Sequence, residues 1–394
     1  MNILLDEHEI EVREALTEFF REECTSKVVR EALASSLGYS ENLWRKFAEL
    51  GWIGLCLPEN CGGQGLPLTH LCLALEEAGY RIAPLPFYAT MVAAAVLARH
   101  GGEHHRTMLS KVATGDLVLS FAHSEKSGRW FQPELGMTGR IAGNRVILEG
   151  SKYFVEFFEL SGKCLVTVML DGQEPAAILV DCVAEGISIE RLVTMGGDEV
   201  TIATFDKVEV PIENLLGAPG SYGAVVADIE NFGALLLVPL MQGAARRALH
   251  LGVEYINQRE AFGRPIGSFQ SMQHLAADML NAVDGAQLLS REAFWLESRG
   301  IAASVEISQA KAFANDKCLM VCRSAQQMFG GLGFIAETDI NLWYRRTAAW
   351  SMRGGTTREH RDRVARALLD SEGVVRLGVR LEDPAPASRA GTGR

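Results

Sequence analysis

The hydrophobic pattern of this chain changes its period twice, so one kind of secondary structure cannot account for its length. From residue 6 to about residue 101, helix-forming residues dominate, with breaks at glycine and proline. Between about residues 116 and 216, short runs of Val, Ile, Thr and Phe alternate with turn residues. After residue 223, helical spacing returns and continues to about residue 370. This order predicts an α+β fold in which a β domain lies between two helical regions.

The middle region is expected to be mostly antiparallel, because its turn signals suit hairpins. Three residue pairs can adopt positive φ angles at little energetic cost: Gly143-Asn144, Asp171-Gly172 and Gly196-Gly197. The run CLVTVML, then DGQEP, then AAILVD is the plainest hairpin signal. We therefore predict four segments: an N-terminal α-helical domain (1–110), a middle antiparallel β domain (111–222), a C-terminal helical domain (223–372) and a disordered tail (373–394) that is rich in Pro, Ala and Gly.

Charge and cysteine content limit the kinds of binding partner and the compartment that suit this chain. The 38 Lys and Arg residues against 49 Asp and Glu residues give a net charge of -11, which repels nucleic acid. Eight cysteines without a CxxC pair suit free, mostly buried thiols in a reducing compartment. The N-terminal residues lack a targeting pattern, and the apolar run at 233–241 is shorter than the ~20 residues of a membrane span. We expect a cytoplasmic protein without a membrane span.

The string QREAFGRPIGSFQSMQ (258–273) carries groups that suit a phosphorylated, ring-containing ligand. Arg259 offers a bidentate cation for a phosphate or carboxylate. Phe262 offers a flat face, Gly263 allows close backbone approach, and Gln270 adds an amide. An ordinary helix–turn–helix corner, with the arginine on a carbonyl and the phenylalanine in the core, is the alternative interpretation.

The string QMFGGLGF (327–334) places three glycines within four positions after a helical run. Bare backbone at Gly330, Gly331 and Gly333 can approach a pyrophosphate, with the amide of Gln327 beside it. A helix C-cap followed by a turn is the alternative. The string is not a dinucleotide-binding fingerprint, because no βαβ unit surrounds it.

In this order and context, the two strings resemble those of the acyl-CoA dehydrogenase family. Three further strings agree with that family: WIGLCLPENCGGQG (52–65) in its N-terminal helical region, LSFAHSE (119–125) at its flavin-contacting strand, and FDKVEVPIENLLG (205–217) at the strand that leaves its β domain. The resemblance extends from about residue 40 to residue 370. It implies that the C-terminal helical domain is a four-helix bundle.

The resemblance also implies FAD, bound between the β domain and the C-terminal helices and partly held by a neighbouring subunit. It implies a homo- or hetero-oligomer, such as a dimer of dimers, and an electron-transfer flavoprotein or a similar electron acceptor. The FAD-binding residues that it implies are Arg259 at the pyrophosphate; Phe262, Phe269 and Gln270 near the adenosine half; Gln327, Gly330 and Gly331 at the part that crosses the subunit boundary; and Phe121, Ser124, Phe154 and Val155 beside the flavin ring.

The reaction that the resemblance implies is α,β-desaturation of an acyl-CoA thioester, which needs a carboxylate to remove the α-proton while a hydride passes to flavin N5. The family's usual Glu precedes Gly-Thr near the C-terminus, but Gly354 occupies that place in MRGGT. A second family position for the Glu falls on Gly233. The nearest carboxylate is Glu230, about one helical turn away. A Glu favoured by the helix dipole is its alternative role.

Three smaller features complete the candidate residues. Glu156 stands where the family often has a flavin-contacting Thr, so its carboxylate is expected either to point away or to displace the ring. The basic run TTREHRDRVAR is either a solvated helix face or a cleft for the CoA phosphates. His104, His105 and His274 lack partners at zinc spacing, so no metal site is expected.

Three functions follow, and they differ in the role of the missing base. The first is FAD-dependent acyl-CoA dehydrogenation, with Glu230 as a weak candidate for the base. The second is a non-catalytic subunit that completes the flavin site of a heteromeric acyl-CoA dehydrogenase. The third is a flavin monooxygenase on the same fold, which needs no such carboxylate.

Overall fold

The computed structural model describes residues 4–131 and 135–370, so the predicted tail (373–394) lies outside the described residues. The chain begins with a helical layer, as the sequence predicts. Its first helix starts at a capping box in which the side chain of Asp6 accepts from the N–H of Glu9. The helices of this layer are α1 (Glu7–Glu23), α2 (Ser26–Ala34), α3 (Glu41–Glu49), α4 (Leu68–Tyr80), α5 (Phe87–His100) and α6 (Glu103–Ala113).

A seven-stranded sheet follows. Its strands are β1 (Leu119–Ala122), β2 (Thr138–Ala142), β3 (Arg145–Glu156), β4 (Lys163–Leu170), β5 (Glu174–Asp181), β6 (Ile187–Leu192) and β7 (Val200–Pro211). They lie in the order β1-β4-β2-β3-β7-β6, and β5 also pairs with β4. The predicted hairpin is confirmed, because β4 and β5 pair in antiparallel fashion around Asp171 and Gly172, which both have positive φ angles.

The sheet is not wholly antiparallel, which refines the prediction. β1 pairs with β4 in parallel over four residues, and β2 pairs with β4 in parallel over two. Hairpin signals between consecutive strands could not indicate these pairs, since a parallel pair is joined by a long connection that contains other elements. The inner face of the sheet has its own apolar core, formed by side chains such as Val146, Val166 and Phe205.

The C-terminal layer is helical. Its helices are α7 (Tyr222–Leu235), α8 (Leu237–Gln258), α9 (Gln270–Ser298), α10 (Ser304–Phe329), α11 (Ile340–Ser351) and α12 (Thr357–Leu369). A two-stranded ribbon, β8 (Glu260–Ala261) and β9 (Arg264–Pro265), separates α8 from α9. α10 packs against α8, α9, α11 and α12, and so forms the centre of this layer. The break at Leu236 has a local cause, because Pro239 has no N–H to donate to the preceding turn.

The apolar run at 233–241 lies within this layer. The segment Tyr222–Gln258 is long and apolar enough to cross a membrane by composition alone, but 78% of its most apolar window is buried inside the protein. Leu235, Leu237 and Met241 have no exposed surface. The segment is thus a core helix pair, as the sequence indicates. All eight cysteines are free thiols, and Cys56 and Cys182 alone among them are only half-buried.

Candidate functional site

An open cavity of about 810 Å³ lies where α8, the β8–β9 ribbon, α9 and α10 meet, and we call it the C-terminal cavity. Six of the predicted FAD-binding residues line it: Arg259, Phe262, Phe269, Gln327, Gly330 and Gly331. Gln270, the first residue of α9, follows Phe269 but is not among the lining residues. The fold therefore brings together two strings that are far apart in the sequence, which neither string could indicate alone.

The ribbon holds an aromatic ring out into the cavity. α8 ends at Gln258, and the chain turns back through Phe262 and Gly263, whose φ angles are 55° and 79°. The Phe262 side chain is 94% exposed. A large apolar side chain held in a left-handed backbone conformation and in solvent is costly to a folded chain, so it points to a ligand or partner surface. The interpretation of this string as an ordinary corner with Phe262 in the core is therefore wrong.

The three glycines after α10 have different roles. A Cβ atom on Gly330 or Gly331 would meet nothing within 4 Å, so both present bare backbone to the cavity. A Cβ atom on Gly333 would lie 2.4 Å from the carbonyl oxygen of Gln326, so this glycine is required by packing. The rings of Tyr255 and Phe329 stack with their centres 4.3 Å apart, and this contact fixes the end of α10 next to the glycines. Bare backbone, a guanidinium and an exposed ring are the groups that an adenosine diphosphate needs, and the cavity fits that half of FAD.

The residues predicted beside the flavin ring lie on β1, directly after β1, or on β3, and none of them lines the C-terminal cavity. The N–H of Tyr153 donates to the carbonyl oxygen of Ser124 at 2.9 Å and joins the end of β1 to β3. A bulge in β3 gives Phe154 a φ angle of 58° and leaves its ring 51% exposed. Phe121 and Val155 are buried, so of the four predicted side chains Phe154 and Ser124 are the accessible ones.

The two positions at which the resemblance implies a base lie side by side, and both hold glycine. A Cβ atom on Gly354 would lie 2.7 Å from the carbonyl oxygen of Gly233, and the φ angle of Gly354 is 63°. A Cβ atom on Gly233 would lie 2.5 Å from Cζ2 of Trp130. The hydroxyl of Tyr88 donates to the Gly233 carbonyl at 2.7 Å. Neither glycine can be replaced by glutamate here unless its neighbours move.

Glu230 lies in a different place, a cleft of about 630 Å³ that we call the arginine cleft. Its lining includes Arg129, Phe131, Arg358, Arg363 and Arg366 together with Glu230. The guanidinium of Arg363 lies 4.6 Å from the centre of the Phe131 ring. Burial, and then the Lys152 ammonium, lower the pKa of His123 to about 4, so this neighbour of Glu230 is neutral at pH 7. The 3.6 Å approach of the two side chains is therefore not an ion pair.

Glu156 is turned into a buried cluster of charges, which sequence reasoning missed. Its Oε1 lies 2.9 Å from Nη1 of Arg353, and the same guanidinium contacts Asp198. Arg346 lies 3.5 Å from Asp198 on the other side. Burial raises the pKa of Glu156, and Arg353 opposes that rise. Arg353 thus compensates the charge of Glu156, and whether this carboxylate points away from the flavin ring or displaces it stays a prediction.

A buried lysine, Lys311, lies near Gly354. The Lys311 ammonium has no exposed surface and donates to the side-chain oxygen of Asn315 and, at 3.2 Å, to the carbonyl oxygen of Trp350. Asn315 donates to the carbonyl oxygen of Gly355 at 3.1 Å. His360 donates through Nε2 to the carbonyl oxygen of Gly354 at 2.7 Å. Polar side chains thus hold the glycine pair in place from below.

Neither cluster was apparent from the sequence, because their members are scattered. Charges at 156, 198, 346 and 353 have no common spacing, and only the fold brings them together. Within residues 4–131 and 135–370, no group of three His, Cys, Asp or Glu side chains is placed to hold a metal ion.

Comparison with known proteins agrees with this architecture. The model described as "Acyl-CoA dehydrogenase, N-terminal domain" matches residues 6–116, and "Acyl-CoA dehydrogenase, C-terminal domain" matches residues 225–369. "Probable acyl-CoA dehydrogenase YngJ" of Bacillus subtilis (strain 168) is 28% identical over 385 residues, which cover 94% of this chain and 100% of that protein. "Caffeyl-CoA reductase-Etf complex subunit CarC" of Acetobacterium woodii is 25% identical over a match that covers 88% of this chain and 94% of that protein.

Among solved structures, a variant of the Tcur3481-Tcur3483 steroid ACAD superposes with a TM-score of 0.83 and 29% identity, over 91% of this chain and 97% of that one. The fold and these matches define a flavoprotein oxidoreductase. The chain belongs to the acyl-CoA dehydrogenase family, and the resemblance seen in the sequence is confirmed. That it falls in a branch without the C-terminal Glu stays a prediction.

Proposed function

We propose that this chain takes part in FAD-dependent α,β-dehydrogenation of an acyl-CoA thioester as a flavin-site subunit, and that a carboxylate of a partner chain removes the α-proton. The contact between Gly233 and Gly354 carries this proposal. Both family positions for the base lack a side chain, and neither has space for one. Of the two dehydrogenase functions, a subunit that completes a partner's site is the one that needs no base of its own.

The C-terminal cavity supports the cofactor half of the proposal. Arg259 would pair with the FAD diphosphate, Gly330 and Gly331 would let the diphosphate approach the backbone, and Phe262 would cover the adenosine. Bound FAD would supply the hydride acceptor. Since Phe154 and Ser124 do not line this cavity, we infer that the chain binds the nucleotide half of a cofactor whose ring rests on a neighbouring subunit.

The names of two relatives agree with such an assembly. The name of CarC describes a subunit of a complex that includes Etf. The name of the steroid ACAD structure joins two designations, Tcur3481 and Tcur3483. We accordingly propose a hetero-oligomer, with an electron-transfer flavoprotein or a similar protein as the electron acceptor.

A homomeric enzyme with Glu230 as the base is the second candidate, and the arginine cleft favours it. Four guanidinium groups and the Phe131 ring suit the phosphates and adenine of CoA, although Glu359 and Asp362 also line the cleft and offset part of the positive charge. Glu230 lies on the wall of the same cleft. In this alternative, the thioester would reach Glu230 from the cleft.

One set of assays separates the two candidates. The chain is purified alone and together with a family member from the same organism that carries the usual Glu. Flavin content is measured, and acyl-CoA is added without oxygen. We expect bleaching only in the pair, loss of bleaching when the partner's Glu is changed to Gln, and no effect of Glu230→Gln. Bleaching by the chain alone that Glu230→Gln abolishes would establish the second candidate instead.

A further inference from the structure

The indole of Trp130 lies directly over Gly233, at the point where the two missing base positions meet. Its ring atoms Cζ2 and Cη2 would lie 2.5 and 2.8 Å from a Cβ atom at residue 233. The side chain is 5% exposed and packs edge-on against Phe121. The space beside the base positions is therefore filled by protein.

Three hydrogen bonds hold Trp130 in this position. Its indole N–H donates to the carbonyl oxygen of Glu230 at 3.0 Å, and its backbone N–H donates to Oε1 of Glu359 at 2.8 Å. Its carbonyl oxygen accepts from Nε2 of neutral His123 at 2.7 Å. Anchors on α7, on α12 and on the chain after β1 leave the ring little freedom to rotate.

A small cavity lies beside Tyr88, which contacts the same glycine. The cavity lined by Tyr88, Glu156, Leu240 and Trp350 has a volume of about 30 Å³. Sites for small ligands usually measure about 300–1,000 Å³, so this cavity is too small for an acyl chain. The hydroxyl of Tyr88, on α5, donates to the carbonyl oxygen of Gly233. Protein atoms therefore lie next to Gly233 on both the Trp130 side and the Tyr88 side.

We propose that Trp130 is a plug that closes the acyl cavity of this chain, so that the chain has lost acyl binding as well as the catalytic base. This inference rests on the proposed function and deepens it, because it assigns the acyl group to the partner's cavity alone. It further explains why residue 233 is glycine, because any side chain there would clash with the Trp130 indole.

The first test compares two ligands. Calorimetric titration of the full chain with octanoyl-CoA and with CoA itself measures what the acyl group adds to binding. We expect similar Kd values for both in the wild type and in Trp130→Phe. In Trp130→Ala, octanoyl-CoA should bind at least about tenfold more tightly than CoA, since burial of a few methylene groups is sufficient for that factor. Trp295→Ala, on the half-buried Trp295 of α9, is the control for general loosening.

The wild-type measurement keeps the inference testable even if Trp130→Ala does not fold. A wild-type preference for octanoyl-CoA of tenfold or more would overturn the plug. A folded Trp130→Ala that gains no preference would overturn it too. Either result would leave the proposed function intact if the pair of chains still turned over, so the two failures are distinguishable.

The second test is a stability cycle that requires no ligand. Gly233→Ala should lower the Tm in the wild type, because the new methyl group meets the indole. In the Trp130→Ala background the nearest remaining atom is Cε2 of Phe121 at 3.7 Å, an ordinary contact. Alanine is a better helix former than glycine, so the same substitution should then raise the Tm. An equal effect of Gly233→Ala in both backgrounds would overturn the plug.

Discussion

The carbonyl oxygen of Gly233 on α7 faces Gly354, and a side chain on the second residue would begin 2.7 Å from that oxygen. The two positions, more than a hundred residues apart, form one junction between the helical elements. The carbonyl of Gly354 is in turn held by His360, so the backbone around the junction is fixed on both sides.

Gly354→Ala is expected to destabilise the protein by more than left-handed strain alone. Gly62 provides the matched control, because its φ angle is 77° and a Cβ atom there would meet nothing within 4 Å. Gly62→Ala should cost about 1–2 kcal/mol of unfolding free energy, which is the penalty for an L residue in that conformation. Gly354→Ala should cost clearly more in urea unfolding, and Gly354→Glu should not confer bleaching by acyl-CoA. Equal losses for the two alanine variants would show that the close contact is absent.

Arg259→Ala is expected to weaken FAD binding without changing stability. Loss of a charge-assisted, bidentate partner is worth about 1.5–3 kcal/mol, so the Kd for FAD should rise by about 10- to 100-fold. The Kd of Arg259→Lys should lie between those of the wild type and Arg259→Ala, because an ammonium keeps the positive charge but cannot form the paired contact. Arg299→Ala is the control, since this guanidinium lies against Trp295 instead of the cavity. Flavin titration of apoprotein measures the effect, and an unchanged Kd in Arg259→Ala would remove the arginine from the cofactor site.

Gly331→Ala should lose FAD affinity, whereas Gly333→Ala should lose stability. A methyl group at 331 would project into the C-terminal cavity, so that variant should keep its Tm and lose FAD affinity. A methyl group at 333 would lie 2.4 Å from the Gln326 carbonyl oxygen, so that variant should lose stability whether or not FAD is present. Thermal unfolding with and without FAD measures both effects. The assignment of the two glycines is wrong if both variants lose stability to the same extent.

The sequence predicted the C-terminal cavity well because the chemistry lies in two short, continuous strings. Arg259 and Phe262 are fixed by the end of α8, and Gly330 and Gly331 by the end of α10. Helix ends can be inferred from local composition, and so these four residues were found without tertiary information. The order of helices and strands was predictable for the same reason.

The region around the missing base was not predictable, because it depends on long-range contacts. Nothing near Trp130 in the sequence indicates that its indole covers Gly233 on α7. The sequence places Glu230 one turn from Gly233, yet α7 directs its side chain into the arginine cleft, while its carbonyl oxygen accepts from the indole of Trp130. The parallel β1–β4 pair and the charges around Arg353 likewise join distant segments.

Lys311 is expected to make stability depend on pH in the alkaline range. Burial lowers its pKa to about 7, below the ordinary lysine value of about 10.4 that applies when the chain is unfolded. The unfolded chain therefore binds more protons between these values, and stability should rise with pH by up to about 1.4 kcal/mol per unit. Lys311→Met should remove that slope, so its stability relative to the wild type should be greatest near pH 7 and fall toward pH 10.

Lys317→Met is the control for this prediction, because Lys317 lies on the same helix and is exposed. Its stability should follow the wild type at every pH, apart from a constant offset. Urea unfolding at pH 7, 8 and 9 provides the comparison. Parallel curves for Lys311→Met and the wild type would mean that Lys311 stays charged in the folded protein.

Arg353 and Glu156 should differ sharply in what their removal costs, although they form one ion pair. Arg353 contacts both Glu156 and Asp198, so Arg353→Met leaves two buried carboxylates with the more distant Arg346 alone, and should cost about 3–5 kcal/mol. Glu156→Gln removes one negative charge and leaves the contact between Arg353 and Asp198 in place. It should therefore cost far less, and it should recover part of the loss when combined with Arg353→Met.

The exposed neighbour Arg345 supplies the control for these charge variants, since Arg345→Met removes a guanidinium whose Nε donates only to the carbonyl oxygen of Met195 at 2.8 Å. Urea unfolding at pH 7 should rank Arg353→Met as the least stable variant, followed by the double variant, with Glu156→Gln and Arg345→Met close to the wild type. If Glu156→Gln instead costs as much as Arg353→Met, then the carboxylate of Glu156 is itself needed to hold Arg353, and the four charges of the cluster act as a single unit.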